Sequence, residues 1–368
     1  MIRSARSAWV IGAMLIAAPV AVAQEEKGPK EPPTPEKIAE WKKDAEARAL
    51  FQSKSQLELQ LVGNYKVISK DRDTLSTKEY WGEVRMKDST GAEVKYPVQL
   101  RTRGHYRLAN RNCSFVPLRL DFKKGEVKGT VFDGHDKLKL VTHCQSNARY
   151  DEYMIREWLA YEVHNLITPR SHRARLAKVT YVDSATGNPI ETRNGVFLEH
   201  EDDVAKRMEG EVIEIRRALF DDVDHDQIME VATWQAFVGG TDWSLAALHN
   251  IRLVRQPNGN LLPIAYDLDF TGLVGTHYAT PDPRLGIRSV KERLYRGPCK
   301  EPEAMAKYLQ PYREKKDAIL ALYKDTPGLD GRYRTDTQNW LNQWFKMLDN
   351  PRELKWMFVE NCKVVPGV

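Results

Sequence analysis

The sequence predicts an α+β fold in two lobes, a strand-rich lobe over residues 36–207 and a helix-rich lobe over residues 208–368. Three observations carry that expectation. From Leu57 to Phe122 apolar and polar residues alternate in "LELQL", "YWGEVRM", "VKYPVQLRTRG" and "PLRLDF", the period of half-buried strands. The run "ARYDEYMIREWLAYEVHNLI" has a broad apolar face of helical period. After Arg207 helical runs dominate.

Residues 1–23 combine Arg3 and Arg6, the apolar "AWVIGAMLIAAPVAVA", and small residues at Ala21 and Ala23. That is the pattern of a secretory signal cleaved after Ala23; a retained N-terminal anchor is the competing reading. No later stretch is long and apolar enough to cross a membrane. Residues 24–35, "QEEKGPKEPPTP", have almost nothing to bury and read as a flexible linker. Thr34 is then a plausible N-cap with Pro35 at the first helical position, so a helix starts the folded part.

The alternating segments predict an antiparallel sheet of about four strands, with "KDSTGAE" as a hairpin turn, continued by "DKLKLVTH". The prominent helix follows and stops at Pro169. "ARLAKVTYVD" and "IETRNGVFLEHE", joined by "SATGNP", make another hairpin. "HDQIMEVATWQAFVGG" is a helix ending at two glycines, and further helical runs occupy about 302–323 and 335–348, broken by "DTPGLDG".

The formal net charge is +5, from 56 Lys and Arg against 51 Asp and Glu, with no long basic stripe, which argues against a nucleic-acid partner. The 4 cysteines lack metal-type C-x-x-C spacing, and in an exported chain they read as disulfides. Of the three complete pairings, Cys113–Cys144 with Cys299–Cys362 is preferred because each stays within one half of the chain. A monomer is expected.

The chemically loaded segment is "GTDWSLAALHNIRLVRQPNGNLLPIAYDLDF", Gly240 to Phe270. Two apolar runs flank "QPNGN", a strong hairpin signal. A turn centred between Asn258 and Gly259 would set Asn250 opposite Asp267, with Asp269 on the same side and Asp242 in the preceding loop. An amide and two carboxylates suit a hard cation such as Mg²⁺, and a separate carboxylate, Asp242, could take or orient the proton of an attacking hydroxyl. The competing reading is that Asp242 caps a turn and the others are solvated strand ends. The order of parts is that of a protein-kinase active site, but the loop from Asp242 to Asn250 is too long and no G-x-G-x-x-G loop precedes it. An ordinary protein kinase is excluded.

With these residues in view, the chain resembles the CotH family of kinase-like proteins, named for spore coat protein H. The resembling features are "LRTRGHYR" with "VPLRLDF", "KLKLVTH" followed by "YMIREWLAY", "NGVFLEHE", "GTDWSLAALHN" and "YDLDF", in the family's order over roughly residues 57–295. The resemblance implies an atypical two-lobed protein-kinase-like fold, binding of ATP with Mg²⁺, and phosphate transfer to Ser or Thr of a secreted or envelope protein in the periplasm or outside the cell. It makes Asp242 the catalytic-loop acid and Asn250, Asp267 and Asp269 the metal ligands. Which acid holds the metal more directly stays open, with Asp269 favoured and also counted as catalytic. Arg103, Arg119, Lys139 and Arg156 match the family's basic positions for phosphate, and Glu199 with Glu201 would sit near the lobe connection, Glu199 being counted with those four as cofactor-binding.

Two departures stand beside the resemblance. "VPLRLDF" has Arg119 and Asp121 where the family often has lysines, and "GIRSVKERLYRGPC" has no chemical role that its residues suggest. Two alternatives are a pseudokinase scaffold, and a kinase-fold transferase that attaches AMP or an amino acid. "DDVDHDQ" lacks the Gly and Glu of a calcium loop, and the 9 histidines form no H-E-x-x-H or H-x-x-x-H pair, so a zinc hydrolase is poorly supported. His249, beside Asn250, is read as packing near the metal, with acid–base work as the alternative. "TPRSHRARLAK" is a basic surface or a docking patch for an acidic protein.

Overall fold

The computed structural model describes residues 33–88, 90–109 and 113–363. The expected signal segment and most of the expected linker lie outside them. Among the described residues no helix is long and apolar enough to cross a membrane.

The first helix, α1 (Pro35–Glu46), begins as its sequence dictates, with Thr34 accepting from the Lys37 N–H and Pro35 in the first turn. Strand β1 (Leu57–Gly63), a single turn α2 (Tyr65–Ile68), and strands β2 (Tyr80–Lys87), β3 (Glu93–Thr102), β4 (Leu118–Phe122) and β5 (Lys137–Val141) follow. Helix α3 (Ala148–Ile167) then leads to the hairpin β6 (Ala174–Asp183) and β7 (Pro189–Leu198). These strands close into one barrel of order β1-β2-β3-β4-β5-β7-β6, where local patterning suggested a sheet plus a separate hairpin. Closure comes from β1, which pairs antiparallel with β2 on one side and parallel with β6 on the other. That parallel pairing joins strands far apart in sequence, so nothing in either strand's own pattern announces it.

Alternation sorts each strand. In β4, Leu118, Leu120 and Phe122 fill the barrel while Arg119 and Asp121 point outward, and in β5 Leu138 and Leu140 point in while Lys139 points out. A second, larger apolar core lies outside the barrel. There α3 packs on β6 and β7 and on a helical layer made of α5 (His225–Val238), α6 (Pro302–Asp325), α7 (Gly331–Leu348) and α8 (Pro351–Lys355). Between α3 and α5 the chain adds α4 (Glu201–Arg207) and β8 (Glu211–Ile213). After α5 come β9 (Ile251–Arg255) and β10 (Leu261–Ala265), forming a small sheet of order β10-β9-β8. The expected elements are therefore present, and the class is α+β.

Both preferred disulfides are formed, Cys113–Cys144 and Cys299–Cys362. The first ties the loop after β3 to the residues just after β5.

Glu199, expected to bind cofactor, instead sits in a buried ionic joint. It is fully buried at the end of β7, and its carboxylate takes Arg173 Nη2 at 2.6 Å, the Arg173 N–H at 2.9 Å and Arg207 Nη2 at 2.8 Å. Arg173 also donates to the last carbonyls of α1, at Ala45 and Glu46, which joins barrel, α1 and α4 at one point. Burial alone would raise the Glu199 pKa, but Arg207 and Arg173 hold it below the usual carboxylate value.

Removing one partner of a buried ion pair strands the others. Glu199→Gln should therefore cost about 3–5 kcal/mol of unfolding free energy at neutral pH. A depressed pKa contributes stability above the unfolded value that is lost as pH falls through the folded one. The gap between wild type and variant, measured by urea unfolding, should accordingly narrow below about pH 4.

Candidate functional site

Helix α5 ends at Gly239, which has φ 65° and whose added Cβ would meet the Val290 carbonyl oxygen at 2.4 Å. The sharp exit sends Asp242 into a tight loop closed by paired backbone bonds between Ser244 and His249, at 2.9 and 3.0 Å. That loop folds His249 back onto Asp242, with Nε2 to Oδ1 at 2.8 Å. Asn250, in the left-handed region at φ 52°, donates its amide to the Asp242 carbonyl at 2.7 Å and to Oδ2 at 3.2 Å. Its amide oxygen accepts no hydrogen bond from a described residue. The bond from Asp242 raises the His249 pKa, burial opposing it.

The β9–β10 hairpin differs by one residue from the expected register. Arg255 pairs with Leu261, and the Tyr266 N–H donates to the Asn250 carbonyl at 3.1 Å, so Asn250 faces Tyr266 rather than Asp267. The reason is Pro257. It takes the second position of a turn closed by Gly259 N–H to Gln256 O, and Gly259, at φ 88°, adds the left-handed third residue of a three-residue loop. The acids still converge, because the chain leaves the strand at Ala265 and Asp267 takes φ 60°. Asp267 is exposed to the cleft and Asp269 is buried, and their carboxyl groups interact directly.

Helix α3 supplies the other wall through a stripe spaced by four residues, Tyr153, Glu157 and Tyr161. Tyr161 accepts the Asp267 N–H at 3.0 Å, and Tyr153 accepts the His277 N–H at 3.1 Å. Between them buried Glu157 meets Arg107, whose Nη2 lies 3.3 Å from Glu157 Oε2 and 3.0 Å from Asp269 Oδ2. Arg107 Nη1 donates to the Thr142 carbonyl at 3.2 Å, and the Tyr278 hydroxyl adds a second donor to Asp269 at 3.0 Å. Burial and the neighbouring acids Asp269 and Asp267 raise the Glu157 pKa, with Arg107 opposing. Enclosure by the cleft walls and the charge of Asp269 raise that of Asp267.

Asp242, His249, Asn250, Asp267 and Asp269, with Arg107, Glu157 and Tyr161, line a cleft of about 640 Å³. Of the residues expected from sequence, it gathers Asp242, Asn250, Asp267, Asp269, Arg103 and Lys139. Lys139 is ion-paired with Glu201, and the Arg103 guanidinium makes no hydrogen bond or ion pair with any described residue, its principal counter-charge being Asp267. Three expected residues are elsewhere. Arg119 lies directly opposite Lys139 in register but is paired with Asp121 and does not reach the cleft. Arg156 is held by Glu152 and lies 3.5 Å over the Tyr333 ring, joining α3 to α7. Glu199 belongs to the ionic joint. Sequence reasoning passed over Arg107, Glu157, Arg252 and Tyr266. A Glu flanked at four-residue spacing by tyrosines, on an otherwise apolar face, was a readable signal for Glu157; Arg107 lies in a loop without period.

The donors at the acidic turn are all oxygens, two carboxylates and the free amide oxygen of Asn250, which fits a hard cation. Among the described residues no group of three or more His, Cys, Asp or Glu is arranged to hold a metal. An ion here would therefore complete its shell with water and ligand oxygens. No family model and no curated protein matches the chain.

If Asp242 is what raises the His249 pKa, Asp242→Asn should move it down toward the ordinary histidine value near about 6.5. An NMR titration of the imidazole resonances of wild type and variant reads this directly. An unmoved His249 would show that the contact is not populated in solution.

Proposed function

We propose that this chain is an exported, kinase-like phosphotransferase of the CotH type, which passes a phosphoryl group from ATP to a Ser or Thr hydroxyl of a secreted or envelope protein. The observation that carries the reading is the meeting in one cleft of Asp242, Asn250, Asp267 and Asp269 with the unpartnered Arg103. The strand-rich barrel on one side and the helical layer on the other stand as the two lobes of this reading. The two disulfides are in keeping with an oxidising compartment.

In this reading Asn250, Asp267 and Asp269 hold Mg²⁺, which when bound offsets the negative charge of the triphosphate. Arg103 and Lys139 bind phosphate oxygens in place of a Gly-rich loop, and Glu201 orients Lys139. Arg107, fixed by Glu157 and the Thr142 carbonyl, holds Asp269 in position. Asp242, oriented by His249 and Asn250, takes the proton of the acceptor hydroxyl. The hydroxyl oxygen bonds to the γ-phosphorus as the bond to the β–γ bridging oxygen breaks, and ADP leaves.

Two variants separate binding from transfer. Wild type should show a Mg²⁺-dependent rise in melting temperature with ATP that Asp269→Ala loses. Asp242→Ala should keep that rise while transfer of labelled phosphate to protein falls at least about 100-fold. Full transfer activity in Asp242→Ala would overturn the assignment, and no thermal shift at millimolar ATP would favour a partner-binding scaffold.

A further inference from the structure

A second cavity, of about 670 Å³, opens on the other side of the Asp242–His249 pair. The two cavities share five lining residues, His105, Asp242, His249, Arg252 and Tyr266, which form the wall between them. A group in the second cavity thus meets a group in the first at Asp242 and His249.

Three features define what would fit. The first is a free sheet edge: β8 is the outer strand of its sheet, and Ile213 and Glu214 at its end line the cavity. Continuing its pairing with β9 carries the chain toward the wall, since Ile213 lies opposite Leu253 and the next step reaches Arg252. An open strand edge of this kind takes an extended peptide through backbone hydrogen bonds. The second is an apolar lining, in which half-buried Ile213 and Leu248 join the buried Leu253 and Trp243. The third is charge. Asp242 is already engaged by His249 and Asn250, and Asp282 is bound by Arg284, Nη2 to Oδ2 at 2.6 Å. That leaves Glu214 against Arg216, which makes no hydrogen bond or ion pair with any described residue, and Arg252, which stacks 4.3 Å from the Tyr266 ring with no carboxylate partner among the described residues.

We infer that this cavity is the acceptor site and takes an extended polypeptide segment with acidic residues flanking the Ser or Thr. The word acceptor rests on the transfer reading above, whereas the binding stands or falls without nucleotide.

Two fluorescein-labelled peptides test it by fluorescence anisotropy on the purified protein, one with Ser flanked by Glu and one with Lys at the same places. The acidic peptide should bind at least about ten-fold more tightly and weaken with added salt. Arg216→Glu, at an exposed position, should abolish that preference. Ala247→Trp, which fills the second cavity from a residue outside the first, should lose both peptides. Equal affinity for the two peptides, no binding of either, or wild-type binding in both variants would overturn the inference. A separate ATP titration of the wild type keeps the readings distinct. Peptide discrimination without nucleotide binding upholds the acidic-segment site and sinks phosphate transfer, and nucleotide binding without discrimination does the reverse.

Discussion

One guanidinium holds the site together. Arg107 stands between buried Glu157 and buried Asp269, with Asp267 beside them, and without it Glu157 and Asp269 would lose the cation they share. These four groups come from three parts of the chain. Arg107 follows β3, Glu157 is on α3, and the two aspartates follow β10. The ion pairs therefore fix the barrel loop, the helix and the acidic turn relative to one another, and the cleft is the space they enclose.

Arg107 can do this because its own loop is tied down. The Cys113–Cys144 disulfide anchors the chain a few residues later, and the Thr142 carbonyl takes the other guanidinium nitrogen. On the far side the backbone is equally constrained. Leu248, Asn250 and Asp267 all occupy left-handed conformations, which are uncommon for residues other than glycine, and the last two line the cleft. Strain of that kind persists where surrounding contacts over-determine it. Here the Tyr161 hydroxyl holds the Asp267 N–H, and Asp242 holds the Asn250 side chain. The same stiffness would suit the proposed transfer reaction, in which small displacements of the reacting groups are costly.

Much of this was legible in the chain. Helix α1 starts at Thr34 and Pro35 and α3 stops before Pro169, strands β4 and β5 alternate as written, and the pairing preferred among the three that the four cysteines allow is the one formed. The acidic cluster was visible as chemistry out of place in a hairpin. Two kinds of information were missing. Barrel closure depends on β1 meeting β6, a long-range parallel pairing with no local signature. The roles of individual cations depend on neighbours in space: Arg103, Arg119 and Arg156 look alike in sequence, yet Asp121 occupies the second and Tyr333 with Glu152 the third, leaving only the first without a partner. The hairpin register slipped for a simpler reason, since Pro257 selects a three-residue loop over the two-residue turn that Asn-Gly alone suggests.

The central claim is that the acidic turn and the cleft cations Arg103 and Lys139 form one nucleotide–metal site. Crystals grown with a non-hydrolysable ATP analogue and Mn²⁺, with anomalous data collected near the manganese edge, test it most directly. The account predicts an anomalous peak at Asp267 and Asp269 beside Asn250, with the phosphates against Arg103 and Lys139. A peak elsewhere, or nucleotide bound outside this cleft while Arg103 stays unpartnered, would contradict it.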